Sequence, residues 1–372
     1  IQEEIDAGRF TWSQVRDLKQ LYARLGDLQV QAQMHDVGEM RSIMTSAFPL
    51  LCSGLTIAGL NAAYEAVPTI GQELVTEIDD PKDVTTLAGI TSQDVGLDRV
   101  DESRDFPEIG AGEEKYTVTG LRNGRRISIT KDMIEKNDVT GIVGRINALA
   151  EIMSEFVEKM TLQRVCDVHG SASSAAEPYV MHRNGAAASL YSATADTPST
   201  RTPSGTRILN NALVDTTDLD AARAVLSAMK NSRGERIAIP LSRCILLVPD
   251  ALLGTALKIR GSQLQPSVEN EVNNWGPVGA FQPRVLSSPK LDDLSTTAWY
   301  LGWFPRQFVR VWGLRAEYVE LGETTESYLR NRTAYQARMA WRVGVGVQDH
   351  NLVVQSLSGT VAATAPTAAN VS

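Results

Sequence analysis

The sequence predicts an α+β fold, and three observations carry that prediction. The first is one long amphipathic helix from Asn137 to about Gly170, with apolar residues at Ile142, Ile146, Leu149, Met153, Phe156 and Met160. Alternating steps of four and three hold that stripe on one side of a helix. About thirty residues rising 1.5 Å each make a rod roughly 45 Å long, which needs a broad surface to lie on. The second is the alternation of amphipathic helices with short strand-like runs after residue 212. The third is a charged, hairpin-like segment at residues 84–131, which buries too little to be stable alone.

In chain order, residues 1–45 are polar and partly helical, with a stripe of Trp12, Val15, Leu18, Leu21, Tyr22 and Leu25. So short a helix must pack on something else, so this stretch reads as an arm. Residues 46–67 read as a helix entering the body. The stretch from Ser42 to Tyr64 carries no charge, but Pro49, Gly54, Gly59 and Asn61 interrupt it, which favours a buried helix over a membrane span. Pro68 and Gly71 mark a break, residues 73–78 a short strand, and Asp79-Asp80-Pro81 a turn.

Residues 84–131 have divided charge. Asp94 to Lys115 holds eight acidic and three basic residues, and Tyr116 to Lys131 holds four basic and no acidic ones. An acidic and a basic limb joined by a turn at Asn123-Gly124 would pair across strands. Each limb of about fifteen residues would reach roughly 50 Å. The charged residues expected to touch a neighbouring copy are Arg99, Asp101, Glu102, Arg104, Asp105, Glu113, Glu114, Lys115, Arg125 and Arg126. Deleting Thr91 to Lys115 is expected to leave a folded core that builds no larger assembly.

In the long helix, Asp138 or Thr140 is a plausible N-cap and Gly170 a stop. Residues 171–205 are rich in Ala, Ser, Thr, Gly and Pro and read as connecting chain. Asp218 then caps a helix that turns Ala222, Val225, Leu226 and Met229 inward. RCILLVP reads as a buried strand, and Pro249-Asp250 as the start of the next helix. Residues 261–280 are polar and read as a surface loop. PRVLSSPKLD, TAWYLGWF, VRVWGL, AEYVEL and the run from Tyr335 to Val347 read as strands that complete a sheet. The tail from Gly359 is low in complexity and reads as disordered.

The length of 372 residues fits one large domain or two to three smaller ones. A net charge of −8 disfavours wholesale binding to nucleic acid or anionic membrane. The three cysteines, Cys52, Cys166 and Cys244, have no metal-ligand spacing and read as core residues. No phosphate loop, nucleophile elbow or zinc-protease motif occurs, and the four histidines are scattered. No catalytic, metal or cofactor-binding residue is expected. Arg306, Arg310, Arg315, Arg330, Arg332, Arg338 and Arg342 interleave with Glu317, Glu320, Glu323 and Glu326. That pattern favours ion pairs over phosphate contacts. Trp299, Trp303, Trp312 and Trp341 read as core.

Five stretches in this order resemble the major capsid protein of tailed bacteriophages, of the Hong Kong-97 type. They are FPLLCSGLTIAGLNAAYEAVP (48–68), RRISITKDMIEKND (125–138) with the helix after it, DLDAARAVLSAMKNSRGERIAIPLSRCILLVP (218–249), PRVLSSPKLDDLSTTAWYLGW (283–303) and ARMAWRVGVGVQDHNLVVQS (337–356). More narrowly, they resemble the capsid half of prohead protease/major capsid fusion proteins.

The resemblance implies an N-terminal arm (1–45), a peripheral-domain entry (46–83), an extended loop (84–131) and a peripheral domain with a spine helix (132–211). It further implies an axial domain (212–305), returning peripheral strands (306–340), a closing axial strand (341–357) and a tail (358–372). It implies a non-enzymatic shell subunit forming pentamers and hexamers in the virion, assembled in the host cytoplasm. The shell would enclose double-stranded DNA without sequence-specific contacts, bind no cofactor and no membrane, and meet portal, scaffold or decoration proteins. Protease removal of a leading segment would account for Ile1. A compartment shell of the encapsulin type shares the fold, and a hydrolase with an unrecognised site is the reading from another class.

Overall fold

The computed structural model describes residues 69–82, 84–92, 111–130, 139–167, 190–193, 202–230, 234–264, 272–321 and 333–359. The expected arm, the helix over 46–67 and residues 360–372 lie outside the described residues, as do Cys52, His35, His169 and His182.

The described elements mix helix and sheet, as the α+β expectation requires. Gly71–Leu74 is a single helical turn (α1), followed by β1 (Thr76–Asp79), β2 (Val84–Ser92), β3 (Ala111–Thr119) and β4 (Leu121–Thr130). The long helix α2 spans Val139–Cys166. Next come β5 (Arg207–Ile208), α3 (Thr216–Ala228), β6 (Ile245–Pro249), α4 (Asp250–Gly261), β7 (Arg284–Ser288) and α5 (Pro289–Asp292). The chain closes with β8 (Trp299–Gly302), α6 (Phe304–Gln307), β9 (Phe308–Leu321), β10 (Thr333–Val347) and β11 (Val353–Ser356). The strands form three sheets, ordered β1-β9-β10-β4, β5-β11-β8-β6-β7 and β2-β3.

By compactness the chain divides into two units. The first is Ile1–Thr69, Arg122–Val157 and Leu314–Arg342; the second is Ile70–Leu121, Glu158–Gly313 and Val343–Ser372. In the first, Phe156 and Trp341 meet edge to face at 6.3 Å, and Arg145 donates from its guanidinium to the Ser128 carbonyl at 2.9 Å. Gly124 lies where an added Cβ would come within 2.7 Å of the Met339 carbonyl. Asn123-Gly124 is therefore not the expected hairpin turn. It sits inside β4, which pairs with β10, and glycine is there because another backbone passes so close.

The second unit holds the main core. β6 is buried at every position, as its unbroken apolar run predicts. It pairs parallel with β7, Leu246 opposite Val285, and antiparallel with β8, Leu246 opposite Leu301. Parallel neighbours need a crossover, and α4 supplies it. β11 closes against β8, Val354 opposite Leu301. α3 turns Leu219, Ala222 and Leu226 into the same cluster as Trp299 and Leu301, with Val225 at its margin. Its N-cap is Asp215, whose carboxylate accepts from the Thr217 amide, while Asp218 accepts from the Asp215 amide. Asp218, expected as the cap, is the other half of a capping box.

Two more expectations needed correction. Residues 73–78 are not one strand, because Glu73 and Leu74 belong to α1. Residues 261–280 are not merely a surface loop. Trp275 is 2% exposed and lies among the core residues. Its indole N–H donates to Asp220 at 3.2 Å. Asn273 donates to the carbonyls of Ile259 and Ser262 at 2.5 and 3.0 Å, satisfying acceptors left over at the end of α4. Polar composition hid both anchors.

Candidate functional site

Three arrangements stand out, and the first is the ribbon of β2 and β3. It is antiparallel from Val84 opposite Thr119 to Ser92 opposite Ala111, so nine residues per strand span roughly 30 Å. The expected limbs of roughly 50 Å, acidic against basic, are not what pairs. β3 takes β2 as its partner, and the basic strand β4 joins a different sheet. Glu113, Glu114 and Lys115 stand opposite Ile90, Gly89 and Ala88. Arg125 and Arg126 are exposed on β4. Arg99, Asp101, Glu102, Arg104 and Asp105 lie outside the described residues.

The ribbon has a built foot. Val118 is buried and clusters with Val309 and Val311. It fits against Gly344 and Gly346, where a Cβ would collide with the Val118 side chain. These glycines look incidental in a strand sequence. Their use is to receive a valine from another strand.

The second arrangement is polar and buried at the C-terminal end of α2. Arg310 is 1% exposed and pairs with Glu77 at 2.9 Å while donating to the Thr161 hydroxyl at 2.7 Å. The Glu158 carboxylate accepts from the amides of Ile70 and Gly71 at 3.2 and 3.0 Å. A Cβ on Gly71 would approach that carboxylate to 2.8 Å, so the chain enters α1 against α2 with no room to spare. One member of the arginine-rich end thus serves an ion pair, with Glu77 and not with an interleaved glutamate.

Beyond it, α2 ends at Cys166, earlier than the expected stop at Gly170. Asp167 takes a left-handed backbone (φ 50°), and its carboxylate accepts from the Leu190 amide at 2.7 Å. Aspartate tolerates that conformation better than most residues. Tyr191 donates to the Val165 carbonyl at 2.8 Å and Tyr300 to the Cys166 carbonyl at 3.4 Å. Gln355 donates to the Tyr300 hydroxyl and accepts from Arg207. These bonds satisfy carbonyls that the helix end cannot.

Burial pushes the Cys166 thiol up to about 12 and raises both tyrosines well above their ordinary value. Burial raises the Asp167 carboxyl to about 7, against the pull of the Leu190 amide and the Arg207 and Arg164 charges. Burial likewise lifts the Cys244 thiol to about 11. A thiol held that high is not a nucleophile near neutral pH. The cluster is a buried, hydrogen-bonded joint.

The third arrangement is on the surface. Trp303 is half-buried, with the Arg243 guanidinium 5.3 Å and the Arg306 guanidinium 5.1 Å from its ring centre. Such contacts contribute about 0.5–1 kcal/mol each when exposed. Trp303 departs from the core expectation that Trp299, Trp312 and Trp341 satisfy. Among the described residues no His, Cys, Asp and Glu group is arranged to hold a metal ion, and no helix is long and apolar enough to cross a membrane.

Against known proteins, the family described as phage capsid protein matches residues 114–355. No curated protein matches. Among solved structures, the chain is similar to a virus-like particle from Pyrococcus furiosus, at 10% identity, covering 80% of this chain and 96% of that one, with a TM-score of 0.43. It is similar to the capsid of an empty GTA particle at 10% identity, covering 79% and 92%, with a TM-score of 0.48. It is also similar to the mature capsid of bacteriophage PhiM1 at 10% identity, covering 78% and 87%, with a TM-score of 0.47.

Proposed function

The chain belongs to the phage capsid protein family, and on that premise we propose that it is the major head subunit, many copies of which close into the shell of a virion. The observation that carries this reading is the family match over residues 114–355. A two-stranded ribbon of this length is marginal by itself. It is fixed at a foot around Val118 and gains stability by lying on another copy.

In this reading the protein is structural and turns over no substrate. The five-stranded sheet with α3 and α4 is the axial domain, meeting its copies around pentamer and hexamer centres. The four-stranded sheet and α2 make the peripheral domain of the Hong Kong-97 type, and residues 84–119 the extended loop. Arg99, Asp101, Glu102, Arg104, Asp105, Glu113, Glu114 and Lys115 make contacts between copies, with Arg125 and Arg126 acting from the sheet instead of the ribbon. The shell encloses DNA without reading its sequence, as suits a chain of net charge −8. Portal, scaffold or decoration proteins are its further partners. Heterologous contacts that close by rotation make the shell finite.

Electron microscopy and sedimentation of the purified chain test the reading. Closed particles of uniform size are expected; a stable monomer at every concentration and salt would overturn it.

A further inference from the structure

We propose that the Arg243–Trp303–Arg306 surface cluster is the docking site for the acidic run, residues 94–114, of a second copy of this chain. The inference rests on the shell reading above and names the receiving surface, which nothing so far assigns.

The cluster is set apart by two guanidinium groups resting on a single ring. Arg284 and Arg310 each pair with a carboxylate, Glu73 and Glu77. Arg223 lies 4.5 Å from the Phe281 ring centre and still reaches Asp220 at 3.5 Å. Arg243 and Arg306 are exposed, sit over one indole, and have no carboxylate partner among the described residues. In a chain with 44 acidic and 36 basic residues, two neighbouring cations left without an acid form a local excess of positive charge.

The cluster is also held in place. Arg243 ends a short 3-10 turn that leads into buried β6, and Arg306 lies in α6. The Trp303 amide donates to the Leu352 carbonyl at 3.0 Å, and Phe304 beside it is fully buried. A guanidinium resting on an indole has its N–H edge free for carboxylates, which it takes two bonds at a time.

The occupant follows from charge. Residues 94–115 carry eight acids against three bases. The described ribbon carries the chain away from its foot at Val118 to Ser92 and Ala111, roughly 23 Å along the strands. A segment displaced so far is suited to another copy. Nucleic acid fits less well, because the guanidinium groups on the Trp303 ring compete with a base for its faces. Two cations also supply little of the phosphate neutralisation that binding needs.

The test uses the full chain. Arg243→Glu with Arg306→Glu is expected to melt close to wild type and to give at least tenfold fewer particles. Adding Asp101→Arg, Glu102→Arg and Asp105→Arg to that chain is expected to restore them. A second measurement does not depend on reversing charge. Chains carrying Arg306→Cys are mixed with chains carrying one cysteine at position 101, 102, 105, 108 or 114 and oxidised. At least one mixture should give a covalent dimer that neither chain forms alone.

Normal assembly by the double reversal overturns the proposal. So does a folded charge swap that restores nothing, or a cysteine series that links only within one copy. Unchanged particle number with lost DNA would assign the arginines to phosphates instead and overturn it as well. If wild type builds no particles, the shell reading fails and takes this proposal with it. Wild-type particles with a failed swap sink this proposal alone.

Discussion

Arg310 shows what a single buried charge commits a fold to. Its guanidinium is held by Glu77 and Thr161, with Glu158 and the α1 entry alongside. Removing one partner of a buried pair leaves the other uncompensated, a cost of about 3–5 kcal/mol. Glu77 is 30% exposed, so water recovers part of that. Glu77→Gln, which leaves the buried guanidinium without its counter-charge, is expected to lower the unfolding free energy by about 3 kcal/mol in urea titrations, and Arg310→Leu, which leaves only the part-exposed carboxylate, by less.

Asp167 gives a pH signature. Its pKa is raised from 3.8 to about 7 by burial, so between those values the folded chain holds a proton that the unfolded chain has released. Its contribution to stability is therefore largest below about pH 4, falls as pH rises to about 7, and is flat above. Asp167→Asn keeps an acceptor for the Leu190 amide and tolerates the left-handed backbone. The stability of this variant minus that of wild type should rise by a few kcal/mol from pH 4 to 8, with Arg207, Arg164, Tyr191 and Cys166 as the neighbouring groups. A flat difference curve would mean the carboxyl stays ionised. No sequence pattern marks either residue: Arg310 reads as one of a charged series, and Asp167 as part of a helix that runs on.

Among the elements, the glycines separate what composition reveals from what it conceals. Gly144 lies in α2 with nothing near its missing Cβ, so Gly144→Ala should stabilise by about 0.5–1 kcal/mol. Gly346 faces Val118 directly, and Gly346→Ala should cost about 1–3 kcal/mol through overpacking. Thermal melts of the two variants should move in opposite directions. The existence of α2, α3, β6 and α4 was readable, because each carries a periodic or unbroken apolar pattern. The ribbon's partner was not. Opposite charge pointed to a pairing between the limbs either side of Tyr116, while packing joined β2 to β3 and gave β4 to β10. Register follows the side chains that can be buried, and Val118 decides it here. Replacing residues 93–110 with Asn-Gly would close the ribbon with a two-residue turn. That chain should melt within a few degrees of wild type and form no shells; complete particles would show that the acidic run is dispensable.

For the whole molecule, a shell subunit is legible mainly as order. The family match covers residues 114–355 and so takes in the succession of elements from β3 to β11. DNA recovered from purified particles would separate a virus head from a compartment that stores protein. Reading the residues alone was enough for the α+β class, the long helix α2, the buried strand β6 and the charge excess of residues 94–115, because periodicity and composition are local properties. Folding was needed to reveal where α2 stops, which strand completes the ribbon, why Gly124 and Gly346 are glycines, that Trp275 is core, and that Arg243 meets Arg306 over Trp303. Each of those depends on which distant residues come within van der Waals or hydrogen-bond reach, and a chain records such contacts only once it has folded.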